Sequence, residues 1–161
     1  MPFAPFHLGP GSVLKAIGGR HFSFMVFGDS QVLMDIEVLV RMDLGTPVLH
    51  GYTHTLPGAL AIGAISTLSG KPLSEFVLRW RRIPCYPISW PVAAISAFAG
   101  TFSHIVLDAI VHADMQPWWP LSTGNRLLGW MGYEELQGWC VVLGIIGFLG
   151  VAARFVRNGR A

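Results

Sequence analysis

The sequence predicts an all-α integral membrane protein: a helical bundle of four spanning helices plus a short N-terminal helix buried against them. Three observations predict it. Hydrophobic residues make up 52% of the 161 positions and charged residues only 12%, where a soluble domain carries about a quarter. Four segments are apolar over lengths that match a bilayer. Lysine and arginine fall almost entirely on one side of the layout those segments define. Mean hydropathy is +0.52, so a soluble fold would lack the charges to cover its surface. The length fits one membrane domain, residues 1–161. A net charge of +2 gives no reason to expect nucleic acid.

The four spans run about Phe22 to Met42, His54 to Ser69, Ile88 to Val111 and Gly138 to Phe155. The second is short and rich in glycine. Ahead of them lies Pro5 to Ile17, apolar but too short for an ordinary span. The N-terminus has no basic region before its apolar stretch, so it does not read as a cleaved signal. Cys85 and Cys140 fall on opposite sides of this layout, and no bridge between them is expected.

Orientation follows from the basic residues. One side receives Lys15, Arg20, Lys71, Arg79, Arg81, Arg82, Arg154, Arg157 and Arg160; the other receives Arg41 and Arg126. The richer side should be cytoplasmic, which puts the C-terminus inside and the chain in the inner (plasma) membrane as a multi-pass protein. The loops Asp43 to Thr53 and Ala113 to Gln137 then face outward. Trp118, Trp119, Trp130, Tyr133 and Trp139 crowd the long outer loop, and Trp80, Tyr86 and Trp90 flank the inner one. Such rings favour the headgroup level. The outer loop therefore lies along the interface, either as an aromatic belt or as a lid over a site.

Ionisable groups inside a spanning helix are costly and mark function. The third span carries His104 and Asp108, with His112 at its outer end. Residues four apart share a helix face, and an imidazole with a carboxylate at that spacing can share a metal ion. His50 and His54 have the same spacing, but Pro57 suits a first helical turn, so a shared helical face cannot be claimed for them. Asp35 and Glu37 in the first span point about 200° apart on a regular helix. Asp35, whose face includes Gln31, is the expected ligand; Glu37 is either a second ligand or the base that activates water.

His7 looks misplaced until lengths are compared. It lies 13 residues before Arg20, and Asp35 lies 14 after His21. At ~1.5 Å per residue both climb roughly 20 Å, so a helical hairpin turning at Gly18-Gly19 brings His7 level with Asp35. Pro5 to Ile17 then forms a short helix covered by the bundle, as non-spanning backbone at membrane depth requires. Five of the six histidines reach the outer half; His21 stays at the inner turn.

These ordered motifs resemble the membrane-bound metal-dependent hydrolases, small inner-membrane proteins that include a LexA-regulated member. Pro5-Phe6-His7-Leu8-Gly9 matches the family's N-terminal element, and Asp35-Ile36-Glu37 its acidic pair. His50-Gly51-Tyr52-Thr53-His54-Thr55 matches its His-x-x-x-His-Ser/Thr element. His104 to Asp108, with Trp119-Pro120 beyond, matches its His-x-x-x-Asp helix and Trp-Pro segment. The resemblance covers roughly Pro2 to Leu121, and Glu37 departs from the usual Asp. The ligand style is also similar to that of zinc-dependent phospholipase C.

The resemblance implies a metal-dependent hydrolase. His7, Asp35, His50, His54, His104 and Asp108 would bind one or two divalent ions, zinc being expected for an imidazole-rich set. Glu37 or His112 would pass the proton. The site's level implies membrane lipids as neighbours and a phosphoester or ester of a lipid, at the outer face, as substrate class. A metal-binding or metal-transporting membrane protein without hydrolase activity is the alternative, and a structural protein with a vestigial site a third reading. The inner halves of the spans are apolar apart from Asp29, which favours a one-sided site over a transport path.

Overall fold

A computed structural model describes residues 5–158. Within that range the chain is all-helical, with five α-helices, two short 3-10 turns and no strand. The helices are α1 (Leu8–Gly18), α2 (Phe24–Asp43), α3 (Leu56–Trp80), α4 (Trp90–Val111) and α5 (Tyr133–Asn158). Arg160 and residues 1–4, which entered the charge count and the family resemblance, lie outside the described residues.

Local chemistry sets the helix starts. The hydroxyls of Ser23, Thr55 and Ser89 accept hydrogen bonds from the amides of Val26, Gly58 and Val92, each satisfying one orphan donor of a first turn. Prolines in the first turns of α3 and α4 cost nothing there, because those amides have no helical partner. The hairpin between α1 and α2 turns at Gly19, whose φ of +51° suits a residue without Cβ. Lys15 Nζ donates to the Gly19 and Phe22 carbonyls at 2.9 and 2.8 Å. Arg154 of α5 donates to the Ala16 and Ile17 carbonyls at 2.7 and 2.9 Å. The two cations thus satisfy the open C-terminal end of α1 and complement its dipole.

Helices α2, α3 and α4 pack on one another, and α5 packs chiefly along α1, which also touches α2. Small residues permit the close approach: a side chain at Gly100 would strike Ser30, one at Gly63 the Phe98 ring, and one at Gly9 the Cys140 carbonyl. One apolar cluster joins Val26, Leu78, Ile88, Ala93 and Ala97; a second joins Met34, Ala59, Ile105, Ala109 and Met115. Cys85 is exposed, Cys140 buried, and both are free thiols.

Two expectations change. Only α4 and α5 are long and apolar enough to cross a membrane by composition, against four expected from the sequence. Helix α2 fails because it contains Asp29, Asp35, Glu37 and Arg41, and α3 because its second half carries Lys71, Glu75 and Arg79. Helix α3 also runs well past the expected stop at Ser69. Lys71, Glu75 and Arg79 form an i,i+4 ladder, with Nζ–Oε1 at 2.7 Å and guanidinium–Oε2 at 3.4 Å. The Ile88 amide also donates to Glu75 Oε1 at 2.8 Å, closing the α3–α4 loop against the helix.

The long segment between α4 and α5 is pinned rather than free. Asn125 Nδ2 donates to the Ala109 carbonyl at 2.8 Å, and the Gly129 amide to the Ile110 carbonyl at 2.9 Å, satisfying the open end of α4. The Leu56 amide donates to the Pro117 carbonyl, and Trp119 meets Tyr52 edge-on at 5.3 Å. This segment packs over the N-terminal end of α3 and the C-terminal end of α4, where the histidines gather.

Candidate metal centre

The i,i+4 stripe on α4 builds the floor of the cluster. His104 and Asp108 are fully buried, and His112 follows as the C-cap residue. Helix α2 brings Asp35 opposite: His104 Nε2 lies 3.3 Å from Asp35 Oδ1 and 3.0 Å from Asp108 Oδ2. The turn before α3 brings His54 Nε2 to 3.6 Å from Asp108 Oδ2 and 3.3 Å from His104 Nε2. His50 Nε2 lies 3.9 Å from Asp108 Oδ2, and His112 Nε2 lies 3.9 Å from Oδ1. The hairpin lifts His7 to the same level, with Nε2 3.5 Å from Asp108 Oδ1.

The outer faces of these imidazoles reveal their tautomers. Gln31 Nε2 donates to the Gly100 carbonyl at 2.9 Å, so its oxygen faces His104 Nδ1 at 2.8 Å. His104 must therefore carry its proton on Nδ1. The Thr53 hydroxyl donates to Glu37 Oε2 at 2.5 Å and accepts from His54 Nδ1 at 2.9 Å. His50 Nδ1 faces Asp114 Oδ1 at 2.9 Å. Three histidines thus have Nδ1 held as a donor by a carboxamide, a hydroxyl and a carboxylate, and each turns Nε2 inward, where it can take a proton or a metal ion. The 3.3 Å approach of His54 Nε2 to His104 Nε2 leaves room for one proton or one shared cation between them.

Neutral rings of this tautomer face the carboxylates acceptor to acceptor, an arrangement that a proton or a metal ion relieves. Both Asp108 oxygens, His50 Nε2 and His112 Nε2 are buried without a hydrogen-bond partner, a costly state for neutral or ionised groups alike. Bonds of about 2.0–2.2 Å set neighbouring ligand atoms about 3.0–3.5 Å apart, which matches the spacing around His104. Asp35, His54, His104 and Asp108 form one group that could hold an ion, and His50, Asp108 and His112 form another. The donor set fits a divalent metal.

Glu37 faces away from this cluster, as the 200° argument requires. It receives Arg41 Nε at 2.9 Å and the Thr53 amide at 2.8 Å, together with the Thr53 hydroxyl, and it reaches the site only through His54. His112 is half-buried and stacks on the His50 ring at 4.4 Å. Burial pushes its imidazole below the ordinary value, against the pull of Asp108. Asp114 was not anticipated. Partial burial works to raise its carboxyl, but hydrogen bonds from the His50 backbone and ring and from the Leu49 amide hold it down at about 2. The available signal was an acid two residues beyond His112 in a loop otherwise poor in charge.

An all-helical protein with apolar membrane-length helices and a buried histidine–aspartate cluster is a membrane protein with a candidate metal site. The chain belongs to the YdjM inner membrane protein family, whose family model matches residues 23–160. No curated protein and no solved structure matches it significantly.

Proposed function

We propose that the protein is a membrane-embedded metal-dependent hydrolase acting on a phosphoester or ester of a lipid at the outer face of the inner membrane. One observation carries the reading: three imidazoles whose Nδ1 is held by a fixed acceptor turn Nε2 toward a buried aspartate that has no hydrogen-bond partner on either oxygen. An interface built only to hold helices together would alternate donors with acceptors. When bound, a divalent cation supplies Lewis acidity, which acidifies water and polarises an ester oxygen. Zinc suits an imidazole-rich set of this kind.

The protein's own groups supply the rest. Asp35, His54, His104 and Asp108 fix the position of the charge. Gln31 and the Glu37–Thr53 pair keep the ring orientations that make those nitrogens available. Glu37 thereby acts as a support for His54. His112, at the edge of the cluster, completes the set either as proton carrier or as a further ligand. The loop that carries Trp118 and Trp119 packs against the turn that supplies His54, a cover that suits an enzyme better than a transport path.

The same reading has four membrane crossings with the C-terminus in the cytoplasm. The outward faces of the polar helices support it: Val32, Ile36, Leu39 and Val40 of α2, and Leu60, Ile65, Leu68 and Leu73 of α3, are exposed apolar residues. Asp29 and Asp35 instead turn inward, toward Ser66 and His104. An average over the helix counts those charges; lipid would meet only the apolar faces.

The test is elemental analysis of the protein purified in detergent, coupled to a screen with chromogenic carboxyl-ester and phosphodiester probes. Stoichiometric metal and turnover, both lost in His104→Ala and Asp108→Ala, are expected. Metal without turnover of any probe would favour a metal-binding or metal-transporting protein, and no stoichiometric metal would end both readings.

A further inference from the structure

We propose that the cluster holds two cations rather than one, with Asp108 shared between them and His50 and His112 supplying the second position. This rests on the metal-dependent reading and extends it to residues which that reading leaves without work.

Once Asp35 Oδ1, His54 Nε2, His104 Nε2 and Asp108 Oδ2 are assigned to one ion, a second set of lone pairs remains. His50 Nε2 and His112 Nε2 join Asp108 in a group spaced for another ion. Neither nitrogen has a hydrogen-bond partner, and neither does Asp108 Oδ1. The His50 side chain is 1% exposed and that of Asp108 is fully buried, so water does not satisfy them in bulk. Asp108 Oδ1 is turned toward His112 at 3.9 Å, whereas Oδ2 lies 3.0 Å from His104, 3.6 Å from His54 and 3.9 Å from His50. A carboxylate with imidazoles of both groups around its two oxygens is placed to serve both positions.

The surroundings of His50 carry the same signature as those of the first group. Asp114 receives the His50 Nδ1 proton at 2.9 Å, and its other oxygen takes the Leu49 and His50 amides at 2.9 and 3.0 Å. The carboxylate–histidine pairing raises the basicity of the opposite nitrogen and fixes the ring. A histidine needed only for packing has no use for that arrangement, because its inward nitrogen would still be unsatisfied. On this assignment His112 is a ligand and not the proton carrier. Two-cation centres can clamp the attacking and leaving oxygens of an in-line displacement, a geometry that suits a phosphoester.

The experiment counts metal. The full chain in detergent is stripped with chelator, reloaded with manganese, desalted and measured by mass spectrometry, with electron paramagnetic resonance on the same samples. Two manganese ions per chain and a spin-coupled signal are expected for the wild type. His112→Ala and His50→Ala should each keep one ion and show the uncoupled six-line spectrum. One ion in the wild type, with no coupling, would overturn the second position and leave the hydrolase reading standing. No ion at all would overturn both. Two ions retained in His112→Ala, with turnover lost, would make His112 a proton carrier and overturn its assignment here. Because the coupled signal is read from the wild type, the proposal stays refutable even where a variant fails to fold.

Discussion

Thr53→Val is the sharpest probe of the tautomer argument. Valine matches threonine in shape, so the change removes one hydroxyl and little else. That hydroxyl does two things: it accepts from His54 Nδ1 at 2.9 Å and donates to Glu37 Oε2 at 2.5 Å. Without it His54 loses the acceptor that keeps its proton on the outer nitrogen, and the inward Nε2 is no longer reserved for a cation. Loss of a supporting partner of this kind costs about 10–100-fold in metal affinity, or about 1.4–2.7 kcal/mol. Glu37 keeps the Thr53 amide at 2.8 Å and Arg41 at 2.9 Å, so the metal-free fold should lose two hydrogen bonds, the charged one to Glu37, about 1.5–3 kcal/mol, and the neutral one to His54, about 0.5–1.5 kcal/mol. Competition against a chromophoric chelator measures the affinity, and thermal unfolding of the stripped protein measures the fold. Thr53→Ser, which keeps the hydroxyl, should bind within a few-fold of wild type. Equal affinity in the valine variant and the wild type would refute the claim that Thr53 sets the His54 tautomer.

Three further outcomes are expected. The Asp114 carboxyl sits at about 2 in the folded state, below its unfolded value of about 3.9, so its contribution to stability is present above about pH 4 and disappears as the pH falls toward 2. Thermal melts across that range should lose this portion of their acid sensitivity in Asp114→Asn. A side chain at Gly9 would meet the Cys140 carbonyl, so Gly9→Val should cost at least the 1–3 kcal/mol (roughly) typical of overpacking and, by displacing α1, should weaken metal binding through His7. Unfolding in detergent reads the first effect and metal titration the second. Cys85 is exposed in the α3–α4 loop; on the proposed four-crossing orientation it should react with an impermeant maleimide only after the inner membrane is breached, and labelling in intact spheroplasts would contradict that orientation.

Much of the cluster was legible because spacing along a helix is a geometric fact. His104, Asp108 and His112 share a stripe at any depth in any bundle, and the two-residue step from Asp35 to Glu37 forces them apart. His7 was reachable by length alone, since two arms of a hairpin that climb equally must end at the same level. The expectation of four spans did not carry through: only α4 and α5 are long and apolar enough, because α2 holds Asp29, Asp35, Glu37 and Arg41. Lys71, Glu75 and Arg79 look like a loop in sequence but are successive rungs of one helix.

The sequence by itself determined the helical class, the hairpin at Gly18-Gly19 and the set of imidazoles and carboxylates that gather at one end. Only the tertiary structure decided which nitrogen each imidazole turns inward. That choice depends on Gln31, Thr53 and Asp114, whose partners lie 73, 1 and 64 residues away along the chain. Three-dimensional packing brings a single acceptor against each Nδ1, and no pattern in the sequence specifies that pairing, because a hydrogen bond is made between places and not between positions in a string.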